Sequence, residues 1–252
     1  MPAPRKYDET RARVEPRRAA YAYVRGLIAD LPRKNCWTLA QHAGDATPDK
    51  MQRLLEHASW DATAAMRLVR DFVVAGLGEQ DAVVVLDESG QEKKGDHTAA
   101  VKRQYVGCAG QVANAINVVY ASYVTPLGHA IVAARPYLPQ EWAGDAERRA
   151  AAGVPKDVVF ATKPELAVAM LSELDQAGAL PPWVTGDEVY GRDRRLRAWC
   201  EDRGVGYVLG VPCLFGITLP SGLAFRTSRT QYRPPPWRFS AWCVGAGPVA
   251  VR

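Results

Sequence analysis

The stretch NAINVVYASYVTPLGHAIVAARPYL, residues 114–138, decides the fold class of this chain. Residues 114–124 and 129–138 are apolar and β-branched over strand length, and Thr125-Pro126-Leu127-Gly128 between them forms a short turn. Two strands joined this tightly run antiparallel. Upstream, AVVVLD (82–87) has the length and the β-branched content of a further strand. Downstream, TKPELAVAMLSELDQAG reads as a helix: Thr162 and Glu165 have capping-box spacing, Pro164 suits a first turn, and Gly178 is a natural stop. PPWVTGDEVYG (181–191) contains a short strand ending at Asp187, RDRRLRAWCEDRG a helix, and VGYVLGVP another strand. An opening hairpin followed by alternating helices and strands predicts an α/β fold with a sheet of mixed direction.

Before residue 79 the period is helical. AAYAYVRGLIADL sets Ala20, Val24, Leu27, Ile28 and Leu31 on one stripe, MQRLLEHASW and TAAMRLVRDFVVAGLG repeat the pattern, and Gly76 and Gly78 act as stops. These faces fit a small bundle, and a DNA-reading or dimerising domain would show the same periodicity. The predicted organisation is a basic flexible arm (1–17), a helical domain (18–78), an α/β domain (79–215) and an irregular tail rich in Arg, Pro and Trp (216–252).

Composition narrows the function classes. Hydrophobic residues make up 48% and charged residues 23% of the 252, which is ordinary for a globular protein. No apolar run reaches the ~18 residues of a membrane span, and the N-terminus carries no signal-peptide pattern, so a cytoplasmic location is expected. The five cysteines make no CxxC pair and the four histidines no zinc spacing. A formal charge of +5 suits an anionic partner without requiring one.

The candidate chemistry lies in DAVVVLDESGQEKKGD (81–96), where the apolar run stops at Asp87 and Glu88, and Ser89-Gly90 suggest a turn into Lys93 and Lys94. Asp187 closes a second strand 100 residues later. Carboxyl ends of strands gather at one edge of an α/β sheet, so the two aspartates are expected to meet there. A divalent cation taking both as ligands would relieve their repulsion. Taken singly, each residue has a plainer reading: an aspartate after a strand as a turn former or helix cap, a loop lysine as a solvated charge. Glu88 and Glu188, one residue further on, are expected to point away from the site.

The segments LDESGQEKKGDHTAAVKRQYVGCAGQVANAINVVYASYV (86–124), YLPQEWAGDAERRAAAGVPKDVVFATKPELA (137–167) and WVTGDEVYG with RGVGYVLGV (183–211) resemble the bacterial insertion-sequence transposases with a ribonuclease H-like DDE domain, nearest the group numbered seven hundred and one. The resemblance covers roughly residues 15–211, in order and at compatible spacing. It implies a ribonuclease H-like sheet flanked by helices. It also implies magnesium- or manganese-dependent cleavage and transfer of DNA strands at element ends, with Asp87 and Asp187 as catalytic metal ligands. Lys93, Lys94, Lys102 and Arg103 would contact phosphates. Double-stranded DNA, both element ends and target, is the implied partner, together with a second copy of the chain or a full-length transposase. The family pattern includes a third acid, a glutamate in a later helix, and this sequence has no Asp or Glu after Asp202. Glu201 precedes the expected position. From about Ser221 the text departs from the family pattern, as in a C-terminally truncated copy with impaired activity. A non-catalytic remnant that binds DNA or pairs with the full-length enzyme is the alternative.

Overall fold

A computed structural model describes residues 14–59, 61–78, 81–107, 109–213, 215–218, 224–226 and 241–245. The chain divides into two compact units after Leu68. The first holds helices α1 (Val14–Ile28), α2 (Cys36–His42) and α3 (Asp49–Glu56), with the start of α4 (Ala62–Leu77). Its core is Leu39, Ala40 and Met51, with Ala22, Tyr23, Leu31 and Cys36 packed on it. Asn35 caps α2 by accepting the N–H groups of Trp37 and Thr38 at 2.9 and 3.0 Å. Gly26 lets α1 close on α2, because a Cβ there would lie 2.6 Å from the Leu39 side chain. Four residues expected in the flexible arm, Val14 to Arg17, are the first turn of α1. The rest of that arm lies outside the described residues.

The second unit is built on one mixed sheet. Its strands are β1 (Val83–Glu92), β2 (Lys102–Val106), β3 (Gln111–Thr125), β4 (Gly128–Pro136), β5 (Trp183–Gly186), β6 (Gly206–Val211) and β9 (Ala241–Gly245), in the order β2-β3-β1-β5-β6-β9, with β4 also on β3. Strands β7 (Gly216–Thr218) and β8 (Ala224–Arg226) form a separate antiparallel pair. β3 and β4 make the expected hairpin, closed at Thr125 and Gly128. β1 is antiparallel to β3 and parallel to β5, and β5 is parallel to β6.

Between β4 and β5 lie α5 (Gln140–Ala143), α6 (Ala146–Ala151) and α7 (Lys163–Gln176); α8 (Glu188–Gly191) and α9 (Arg194–Asp202) follow β5. α7 has its capping box: Thr162 Oγ1 accepts the Glu165 N–H, and the Glu165 carboxylate accepts the Thr162 N–H at 2.8 Å. Its face Ala167, Met170, Leu171, Leu174 repeats at helical spacing and is fully buried against Val84, Leu86, Val119, Ala121 and Tyr123 of the sheet. Leu196, Trp199 and Cys200 of α9 join the same core.

Two expectations about the chain's course are corrected. β1 does not end at Asp87 and does not turn at Ser89-Gly90; it pairs with β3 as far as Glu92 opposite Ala115. The fifteen residues of β3 present a ladder that polar residues can join as readily as apolar ones. Gly90 is there for room: a Cβ would lie 2.9 Å from the Asn117 side-chain oxygen and 3.2 Å from Val106. The tail expected to be irregular from 216 contributes β7, β8 and β9, the last pairing antiparallel with β6. β2 was not anticipated, since KRQYV lacks an apolar alternation.

Candidate functional site

Sheet register brings the two aspartates together. Parallel pairing of β1 with β5 runs from Val83 opposite Trp183 to Leu86 opposite Gly186. The next residues on the two strands are Asp87 and Asp187, on neighbouring strands that in sheets lie about 4.8 Å apart. There β5 stops, while β1 continues alone with β3. Asp187 becomes the N-cap of α8 and accepts the Val189 N–H at 2.9 Å. α8 is seated backbone to backbone on β6: a Cβ at Gly191 would lie 1.8 Å from the Gly210 carbonyl oxygen, and one at Gly210 would lie 2.9 Å from the Glu188 nitrogen. Glycines at both contacts fix the start of α8, and with it Asp187, against the sheet.

Both aspartates keep exposed surface, although protein surrounds part of the Asp187 carboxyl. Asp87 accepts the N–H of Glu88 at 2.8 Å. The Asp187 carboxyl is held above its ordinary range, by the protein packed around it first, with the charges of Glu88 and Asp87 adding, against the Val189 and Tyr190 N–H groups that favour the anion. Crowded acids of this kind attract a cation. Two carboxylates with water around them suit a hard divalent ion such as magnesium, which keeps several waters and takes one or two protein carboxylates. Among the described residues no group of three His, Cys, Asp or Glu side chains could hold a metal ion.

Glu88 points away from Asp87, as expected, but it has partners that the sequence did not indicate. It faces the α7 side of the sheet in line with Leu86, where its carboxylate pairs with Lys163 and accepts the Tyr190 hydroxyl at 3.0 Å. Burial, followed by the Glu88 carboxylate, pushes the Tyr190 phenol far up, so it stays a neutral donor. Lys163, the first residue of α7, is thus the lysine beside the acids. The signal for it was the same TKPE segment that marks the helix start: a helix N-terminus packed at the carboxyl ends of strands points at whatever binds there.

The expected phosphate contacts lie elsewhere. Because β1 stays extended, Lys93 is six residues from Asp87, or about 20 Å at the ordinary strand rise. Its N–H donates to the Asn114 carbonyl at 2.7 Å, lengthening the ladder by one bond. Lys94 is exposed just beyond. Arg103 is exposed on β2 and stands opposite Asn114 in register. Lys93 and Arg103 therefore flank one residue of β3 from opposite sides. Lys102 is engaged by Glu141 at 2.7 Å, and this hydrogen bond raises its pKa. Lys102, Arg103, Asn114, Glu141 and Arg148 line a pocket of about 220 Å³. The acids and these cations form two separate clusters.

Residues 11–237 match the family model described as DDE superfamily endonuclease. The match runs past Ser221 to residue 237, so about half of the segment expected to depart from the family lies inside it. The chain is also similar to the "probable transposase for insertion sequence element IS701" of Microchaete diplosiphon, at 26% identity over 201 residues. That alignment takes in 76% of this chain and 48% of the relative, so the chain spans about half the length of the curated relative it matches. The mixed sheet flanked by helices is that of a ribonuclease H-like DDE domain.

Proposed function

From the premise that this chain belongs to the DDE superfamily endonucleases, we propose that it acts on DNA as a transposase does, cutting and rejoining strands at the ends of an insertion sequence. The observation that carries this reading is the register of β1 and β5, which puts Asp87 and Asp187 side by side where the parallel ladder ends. They would hold magnesium or manganese, and the bound ions would supply Lewis-acid activation of the attacking oxygen and charge stabilisation at the leaving oxygen. Asp187, tied to the α8 amides, contributes a fixed carboxylate. Lys163 and Tyr190 hold Glu88, which keeps this third negative charge out of the space in front of the aspartates. Lys93, Lys94, Lys102 and Arg103 bind the DNA backbone away from the cleavage point.

The reading includes weak chemistry. Within residues 203–252 there is no Asp or Glu, and Glu88 is committed to Lys163 and Tyr190, so Asp87 and Asp187 would be the two carboxylates offered to a cation. The same feature favours the second reading, in which this chain binds DNA or pairs with a full-length transposase and cleaves little by itself. Incubating the full chain with supercoiled DNA and magnesium or manganese tests both. Expected are DNA binding and slow, metal-dependent nicking that Asp87→Asn or Asp187→Asn reduces to background. Fast cleavage would overturn the impairment, nicking without binding-site dependence on either aspartate would overturn the site, and absence of DNA binding would overturn both readings.

A further inference from the structure

Three consecutive apolar residues, Val158, Val159 and Phe160, are exposed in the segment between α6 and α7, at 36%, 72% and 37%. Runs of this kind on a surface call for a function, since each side chain would be better solvated if polar. The segment's backbone is also bonded to one side chain. Arg149 donates to the carbonyls of Pro155 at 2.9 Å, Lys156 at 3.4 Å and Val158 at 2.6 Å, so one guanidinium sets the loop's course. It adjoins the acid site through a short series of contacts. Phe160 packs edge-on to Tyr137 with ring centroids 6.4 Å apart; the Lys163 ammonium lies 5.9 Å from the Tyr137 ring; and Lys163 pairs with Glu88, next to Asp87.

We propose that this loop is a DNA wedge: Val159 and Phe160 enter the base stack beside the phosphodiester addressed by Asp87 and Asp187, opening it for attack. The inference rests on the DNA reading above and adds how the strand is deformed. Size and charge select DNA as the occupant. Three side chains are far too few for a protein interface, which buries on the order of 1,000 Å² or more, whereas one or two apolar side chains suffice to part a base step and kink a duplex. Lys156, exposed two residues before the run, suits a flanking phosphate, while Lys163 stays paired with Glu88. The half-exposed rings of Tyr137 and Phe160 offer a surface on which a displaced base can stack.

The test is the ratio of affinities of the full chain for two probes: a short fluorescent duplex, and the same duplex with one central mismatch next to 2-aminopurine. A mismatch lowers the cost of opening the stack, so a wedge prefers it. The expected preference is about tenfold, equal to ~1.4 kcal/mol, with a rise in 2-aminopurine fluorescence in the complex. Val159→Ser, at a side chain open enough to leave folding intact, and Phe160→Ala bring the ratio to about one and remove the fluorescence rise, with duplex affinity nearly kept. An unchanged ratio in both variants overturns the wedge, as does equal weakening for both probes. Loss of self-association with the ratio intact would overturn it in favour of a protein contact. Failure of the wild-type chain to bind either probe removes the DNA reading itself, a result distinct from binding without preference.

Discussion

The two halves of β1 differ in what surrounds them. From Val83 to Leu86 the strand is paired on both edges, by β3 and by β5, and alternate residues are buried under α7. From Glu88 to Glu92 it has β3 on one edge only, and polar side chains replace apolar ones. Asp87 stands at the junction. The lesson is that the candidate site is made by the end of a neighbour, not by the end of the strand that carries the first acid. Where β5 leaves the ladder after Gly186, Asp187 follows at once and is held beside Asp87 as the N-cap of α8.

That contrast can be broken at several places. The largest effect is expected from Asp187→Asn, which should reduce metal-dependent nicking by two orders of magnitude or more. The same variant should also be more stable at neutral pH. A carboxyl whose pKa is raised on folding binds its proton more tightly in the native state, so it favours folding at low pH and loses that contribution as pH rises from the ordinary carboxylate range through the raised native value. Thermal melts of the wild type and Asp187→Asn across pH should therefore diverge above that range and converge below it. A variant less stable at neutral pH would contradict the crowding of acids at the junction.

Gly191→Ala comes next. Its Cβ would lie 1.8 Å from a backbone oxygen that cannot turn aside, so a loss of about 3 kcal/mol is expected in urea denaturation, with α8 displaced. Its counterpart on the outer half, Gly90→Ala, meets side chains at 2.9 and 3.2 Å that can give, and about 1 kcal/mol is expected. Equal costs would show that the junction is no stiffer than the outer strand. Glu88→Gln should lower magnesium affinity about tenfold, read by calorimetry, because Lys163 is then unpaired beside the aspartates. It should also lower the pH at which Asp187 titrates, visible by carboxyl carbon NMR, since the Glu88 charge that raises it is gone. The smallest effect is expected at the far cation cluster: Arg103→Ala should weaken binding of any DNA a few-fold and reduce the salt slope by about 1.

Much of the fold was legible beforehand. The Thr125–Gly128 turn, the capping box of α7 and the inward stripe of α9 all depend on residues within a few positions of each other. Asp87 and Asp187 were also identifiable as residues following apolar strands. The direction of Glu88 was legible from strand alternation, but its partners Lys163 and Tyr190 were not, because they lie 75 and 102 residues away. Ser89-Gly90 was misread because glycine serves both turns and close approaches, and only the neighbours Asn117 and Val106 tell which applies. Lys93 and Lys94 consequently sit one strand length farther from the aspartates than the apparent turn suggested.

The sequence by itself determined the elements, the opening hairpin, the two acids and the excess of positive charge, because local spacing sets the period of a segment and the chemistry of its ends. Tertiary structure alone decided that Leu86 faces Gly186, that β1 outruns β5, that Lys163 neutralises Glu88 and that Val158 to Phe160 stand exposed. Period is a property of one segment, whereas register, neighbour length and exposure belong to pairs of segments that only the folded chain brings together.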